Sequence, residues 1–180
     1  GVFDSDLRGV VSIPGLFDKF KFSNTLATFA RNEKFEPEQI VILNSQAEIA
    51  TEELAKSLKL WLLPPHKTRP YWNSPMEVTD EVRPALKPLK FVVVPAAAEH
   101  SLSHSFKVDV PANQSILVEV PAGIRSYGGY ELQKKYEAVV RIPEYPHEMM
   151  IMSKGAILSM SGDKKVPFLG RNVAEVHYRL

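Results

Sequence analysis

The 180-residue chain contains no cysteine. Within these residues that excludes a disulfide scaffold, a zinc knuckle, a cysteine nucleophile and an internal thioester. It leaves the compartment open, because cytosolic and bacterial periplasmic proteins both often do without cysteine. No apolar run approaches the roughly 20 residues that a membrane helix needs, so direct membrane insertion by this stretch is not expected. An excess of one charge is missing as well: 22 basic and 21 acidic residues are interspersed to a net charge of +1. Such a balance provides no electrostatic footprint for a phosphate backbone and sets nucleic acid aside as a partner. The opening Gly1-Val-Phe-Asp-Ser-Asp6 lacks the basic start and apolar segment of a secretory signal, as a processed start would.

What the chain has is punctuation. Fourteen prolines and nine glycines are spread along it, keeping helices short and cutting the sequence into pieces of strand length. With 44% hydrophobic residues it can bury a sizeable core, as one large domain or as one domain plus part of a second. Residues 1–15 read as an edge strand through Val10 to Ile13 or as the tail of a linker. Leu26, Thr28 and Ala30 share one face of a strand, and Gln39-Ile-Val-Ile-Leu43 is a short buried run between Pro37 and Asn44. Thr51 precedes Glu52 and Glu53, an N-cap residue followed by acids that suit the helix dipole, which predicts one or two helical turns.

Lys59-Leu-Trp-Leu-Leu63 predicts a strand stopped by Pro64-Pro65, and residues 66–75 read as a polar, aromatic loop. A weaker helix start sits at Thr79 to Val82, and Leu89 to Val94 predicts one buried strand. Ser105 to Val110 and Ser115 to Val120 both alternate, and the four residues between them have the spacing of a β-hairpin. Gly128-Gly129 suits a turn with positive φ. Ala138 to Ile142, Ile157 to Met160, Val166 to Leu169 and Val173 to Leu180 complete the strands; the last still alternates like the opening strand of a further domain. The expected architecture is an all-β, immunoglobulin-like antiparallel sandwich with one or two short helices, covering residues 16–148. Residues 149–180 either begin a second sandwich or close the first.

Few residues suggest chemistry. His100 and His104 stand four apart, the spacing that presents two imidazoles to one metal on a helix. Their surroundings read as a loop entering a strand and lack a pattern of two His bracketing a Glu, so both are taken as surface histidines and no metal site is assigned. No serine sits in a Gly-x-Ser-x-Gly elbow, and Gly123, Gly128 and Gly129 match neither a dinucleotide fingerprint nor a phosphate loop. The pairs Glu52-Glu53 and Asp80-Glu81 are explained by helix first turns. Hence no catalytic residue and no cofactor is assigned. Asn113-Gln-Ser115 fits a glycosylation acceptor pattern that arises often by chance. Trp61, between leucines on a strand, reads as core. Tyr71 and Trp72, in the proline-rich loop, are the candidate interface residues, since aromatics dominate interface hot spots.

Three stretches carry a likeness to a known family: Pro37-Glu-Gln-Ile-Val-Ile-Leu43 to Leu60-Trp-Leu-Leu-Pro64; Ile116-Leu-Val-Glu-Val-Pro-Ala-Gly-Ile-Arg-Ser-Tyr-Gly-Gly-Tyr130; and Ile142-Pro-Glu-Tyr-Pro146 through Gly155 to Lys165 and Arg171-Asn172. In their order and spacing, over about residues 20–180, the chain resembles the bacterial alpha-2-macroglobulins, specifically the cell-envelope branch lacking the reactive thioester. The resemblance implies an N-terminal fragment of a many-domain, protease-trapping periplasmic protein built from serial macroglobulin-like β-sandwiches. In the family a protease cuts a bait segment and is enclosed. None of the three stretches is a catalytic motif, so no family site residue carries over. The implied partners are neighbouring domains of the parent chain and, through the whole protein, target proteases, with inner-membrane association arising only through the parent. The rival reading is an adhesive or ligand-binding module of a bacterial cell-surface protein, because sandwiches host many functions.

Overall fold

The computed structural model describes residues 20–151 and 168–177. The chain divides into two compact units, Gly1–Ile142 and Pro143–Leu180.

In the first unit the apolar run at Gln39 seeds a longer strand than its composition suggests: β2 spans Pro37–Ala50. It pairs antiparallel with β1 (Phe22–Arg31) on one side and with β6 (His100–Val108) on the other. β5 (Val92–Val94) adds to β6, giving a first sheet in the order β1-β2-β6-β5. β3 (Lys59–Leu62), β4 (Lys87–Leu89), β7 (Ser115–Val120) and β8 (Tyr136–Arg141) form a second antiparallel sheet in the order β4-β3-β7-β8. The period-2 rule then places alternate residues between the sheets. Val41, Leu43 and Phe106 from the first sheet meet Leu60, Ile116, Val118 and Val120 from the second in one core cluster. The result is an all-β sandwich.

Several local expectations are corrected. On β1 the residues turned to the core are Phe22 and Ala27, whereas Leu26 is exposed: a register shift between Phe22 and Asn24 sets which face turns in. Thr51 is the first residue of α1 (Thr51–Ser57); Ala50 caps it without a side-chain bond, and the Thr51 side chain is spent inside the fold. Residues 79–82 form turns, and the helical geometry near them is two 3-10 turns at Pro75–Glu77 and Arg83–Ala85. The prolines at 75 and 84 suit the first positions of such turns and prevent a longer helix.

The stretch from Leu89 to Val94 is two strands rather than one. Leu89 pairs with Leu60 in the second sheet, while Val92 to Val94 pair with Lys107 to Ser105 in the first. Lys90 and Phe91 cross between them, and the Phe91 ring packs edge-on against Phe106 at 5.3 Å. The predicted hairpin of residues 105–120 is likewise an arch from sheet to sheet, because β6 and β7 pair with different strands. Each strand turns apolar residues inward, Phe106 and Val108 from β6 and Ile116, Val118 and Val120 from β7, and buries them better by facing the other strand across the core than by lying beside it. Gln39, 2% exposed, secures the arch: its amide nitrogen donates to the Val110 carbonyl at 2.7 Å and its oxygen accepts from the Val110 N–H at 2.9 Å. A side chain here takes the place of the missing strand partner.

The Gly-Gly turn holds, with Gly129 at φ +77°. Around it Ser126 and Tyr130 bond through their backbones and Ile124 pairs with Leu132, so residues 123–132 make a small stapled loop with both aliphatics buried.

In the second unit β9 (Glu148–Ile151) and β10 (Phe168–Arg171) form an antiparallel ribbon. Asn172 donates to the Tyr145 carbonyl at 3.1 Å. Residues 173–177 lie outside any strand, contrary to the alternation read there. The expected strand at Ile157 to Met160, the first fifteen residues, and residues 178–180 fall outside the described residues.

Candidate interaction surface

Pro64 and Pro65 end β3 because neither offers a backbone donor. The chain then folds back over the face of the second sheet that points away from the core. Leu117 emerges on that face between the inward Ile116 and Val118, and it packs with Leu63, Trp72 and Val78 in a second apolar cluster. Trp72 is 8% exposed. Its indole N–H donates to the Pro64 carbonyl at 2.7 Å, its backbone N–H donates to the Ser115 hydroxyl at 3.3 Å, and the His66 ring meets it edge-on at 4.6 Å.

The loop is further pinned by polar contacts. His66 Nδ1 accepts from the backbone of Thr68 and Arg69 at 3.2 Å each, and Arg69 meets the Glu77 carboxylate at 2.8 Å. That hydrogen bond from Arg69 holds the Glu77 carboxyl below the usual range. Tyr71, 37% exposed, stays at the surface with the Arg141 guanidinium 4.8 Å from its ring centre, a cation–π contact. Of the two aromatics singled out in this loop, the structure therefore puts Trp72 in a core and leaves Tyr71 facing solvent. Trp61 is half-buried at the edge of the same cluster and donates its indole N–H to Glu119.

Glu119 and Glu137 sit directly opposite on β7 and β8. Two like charges so placed would repel, and two cations bridge them. Arg83 reaches Glu137 at 3.1 Å and Glu119 at 3.5 Å, and Lys135 reaches them at 2.6 and 3.2 Å. Burial pushes the Glu137 carboxyl up, but its hydrogen bonds from Lys135 and Arg83 outweigh this and lower it. The Glu137 contact raises Arg83 and Lys135 in turn. Nothing in the sequence announces this cluster, because its members come from three separate segments. Its geometry ties the covering segment to the sheet.

The histidines separate. His100, half-buried, stacks 4.4 Å from the Tyr127 ring, while His104 is fully buried and shares a 2.9 Å hydrogen bond between Nδ1 and the Thr51 hydroxyl. The reading of both as surface residues is thus wrong for His104: the segment taken for a loop is strand β6, and His104 lies on its inner face with Phe106. Four strand residues span about 13 Å, too far for one metal. Among the described residues no group of three His, Cys, Asp or Glu is placed to hold a metal ion. In the Asn113-Gln-Ser115 motif the serine is buried and engaged with Trp72.

Burial lowers the His104 pKa from its ordinary 6.5, with the Ser101 backbone acting in the opposite sense. The unfolded chain therefore takes up a proton near pH 6.5 that the folded chain takes up only at lower pH. Stability is expected to fall on acidification below pH 6.5, by up to about 1.4 kcal/mol per pH unit, before the carboxylates titrate. Urea melts from pH 7 to 5 check this: His104→Leu should flatten the profile, and an unchanged slope would mean that other groups set it.

Three curated relatives were found. The chain is 32% identical over 179 residues to the "Alpha-2-macroglobulin" of Rickettsia conorii, covering 94% of this chain and 10% of that protein. It is 29% identical over 174 residues to the "Alpha-2-macroglobulin homolog" of Yersinia pestis, covering 91% and 9%, and 30% identical over 176 residues to the "Alpha-2-macroglobulin" of Pasteurella multocida, covering 96% and 9%. The chain spans about a tenth of the length of these relatives. No family model and no solved structure matches it. On these similarities, which run nearly the length of the chain, the protein belongs to the bacterial alpha-2-macroglobulin family.

Proposed function

We propose that these residues form a non-catalytic scaffold segment of an alpha-2-macroglobulin-like inhibitor that entraps proteases in the bacterial periplasm. The observation that carries the reading is the similarity to three proteins of that name across nearly the whole chain. The geometry accords with it. The sandwich buries one apolar face of each sheet against the other, and the covering loop buries part of the second sheet's outer face, a construction suited to holding neighbouring domains at fixed angles. Its partners on this reading are those domains and, through the whole protein, the trapped protease. On this reading any inner-membrane association comes through the parent chain; among the described residues no helix is long and apolar enough to cross a membrane.

The isolated 180 residues are expected not to inhibit a protease, because enclosure needs the parent. Assay of this chain and of the full-length protein against trypsin, with a large protein substrate and a small peptide substrate, tests the reading. The full-length protein should block cleavage of the large substrate only. Inhibition by the isolated chain, or none by the parent, contradicts it, as would a cytosolic band near 20.2 kDa in fractionated cells probed with an antibody to this chain.

A further inference from the structure

The hairpin of β1 and β2 runs on past the strand beside it. β6 ceases to pair with β2 at Gln39, while β1 and β2 stay paired as far as Arg31 and Pro37, and residues 32–36 turn the chain between them. The turn is closely bonded. Asn32 Oδ1 accepts from the backbone N–H groups of Lys34 at 2.9 Å and Glu36 at 3.0 Å. The Asn32 carbonyl accepts from the Phe35 N–H at 2.9 Å, and the Arg31 guanidinium donates to the Phe35 carbonyl at 3.1 Å. These bonds fix Phe35 at φ +60°, a left-handed position that short hairpin loops give to glycine and that a bulky side chain disfavours. The ring is 61% exposed, so burial returns little of what the backbone costs. A strained residue over-determined by its surroundings is a mark of a functional position.

We propose that Phe35 is a docking anchor whose ring seats in an apolar pocket on another domain of the parent polypeptide. The inference rests on the reading of these residues as a scaffold segment of a longer protein. The chain spans about a tenth of the length of its relatives, which leaves ample polypeptide to supply the pocket. An aromatic ring presented on a fixed backbone suits a concave protein surface, because little freedom remains to be lost on binding. A bilayer fits less well, since the exposed Glu33 and Glu36 flank the ring on both sides and are repelled by anionic headgroups.

Two measurements test it. In this chain Phe35→Gly and Phe35→Asn relieve the left-handed strain, and each should leave the melting temperature unchanged or raise it by about 2–4 °C. A fall with both would show that the ring holds the hairpin together and would overturn the proposal. In the full-length protein, Phe35→p-benzoylphenylalanine should on irradiation join to one apolar site elsewhere in the same polypeptide, located by mass spectrometry. Met76→p-benzoylphenylalanine is the control, because Met76 is 92% exposed, and it should not reach that site. No product from position 35, the same product from position 76, or attachment to a second copy or to phospholipid overturns the proposal. Trypsin entrapment by the unirradiated preparations separates the two readings. Entrapment without the cross-link counts against the anchor alone, and the cross-link without entrapment supports the anchor and counts against the inhibitor reading.

Discussion

Trp72→Ala is expected to destabilise the first unit by about 3–5 kcal/mol, the cost of removing a large buried aromatic and leaving a cavity that its neighbours only partly fill. The side chain anchors the covering loop from within: Leu63, Val78 and Leu117 surround it, its indole N–H is committed to the Pro64 carbonyl, and His66 packs edge-on against it. Removing the ring also strands that carbonyl and exposes Leu117, so the loss reaches from the loop into the central strand of the second sheet. In a chain of this size the melting midpoint should drop by on the order of 10 °C. Tyr71→Ala, one residue away, should cost about 1 kcal/mol or less, because it removes an exposed ring and one cation–π contact. Thermal and urea melts of the two variants distinguish the roles. A Trp72→Ala protein as stable as the parent would mean that the ring is free at the surface, and the rival reading of the chain as a ligand-binding module would gain.

Gln39→Leu is expected to cost about 2–5 kcal/mol although it adds apolar surface to the core. Gln39 donates to the Val110 carbonyl and accepts from the Val110 N–H at a point where neither has a strand neighbour. Leucine fills the volume and satisfies neither group, and each buried orphan costs about 1–3 kcal/mol. Gln39→Glu gives a sharper test. As a carboxylate it still accepts from the N–H but sets a buried negative charge against the carbonyl; once protonated it can donate again. Its folded-state pKa should be raised by burial, so its deficit relative to the parent should shrink as pH falls from 7 to 4, opposite in sense to the His104 effect. Urea melts of both variants and the parent across that range provide the check. A deficit that grew on acidification would show that the carboxyl is not facing the carbonyl.

The parts of the fold legible in the sequence are those fixed by local rules. Alternation located most strands, Pro64-Pro65 marked the end of β3, and Gly129 supplied the left-handed turn. Partnership was not legible. Residues 105–120 satisfy every local requirement of a hairpin, yet β6 and β7 go to different sheets, because which apolar faces meet is decided by the whole core. The same holds for Leu89 to Val94, where one continuous apolar run serves two sheets in turn. Side-chain roles were obscured for a related reason. Thr51 looks like a cap from its neighbours alone, and only β6, some fifty residues on, supplies the His104 that claims its hydroxyl. Gln39 did leave a trace, as the one polar residue opening an apolar run. For the loop aromatics, composition marks Tyr71 and Trp72 alike, and only the fold separates a ring under an arginine from one under a proline-capped loop.

The crossing at Lys90 and Phe91 also has a mechanical consequence. From Leu89 to Val92 the connection is three Cα steps, at most about 11 Å, little more than the roughly 10 Å between packed sheets, and its ends are zipped into opposite sheets. Any sliding of one sheet across the other would tighten this strap within a fraction of a strand's length and then have to tear β4 or β5 from its partner. Force applied along the chain should therefore be carried by the sandwich as one stiff body, up to the load at which a three-residue edge strand peels away.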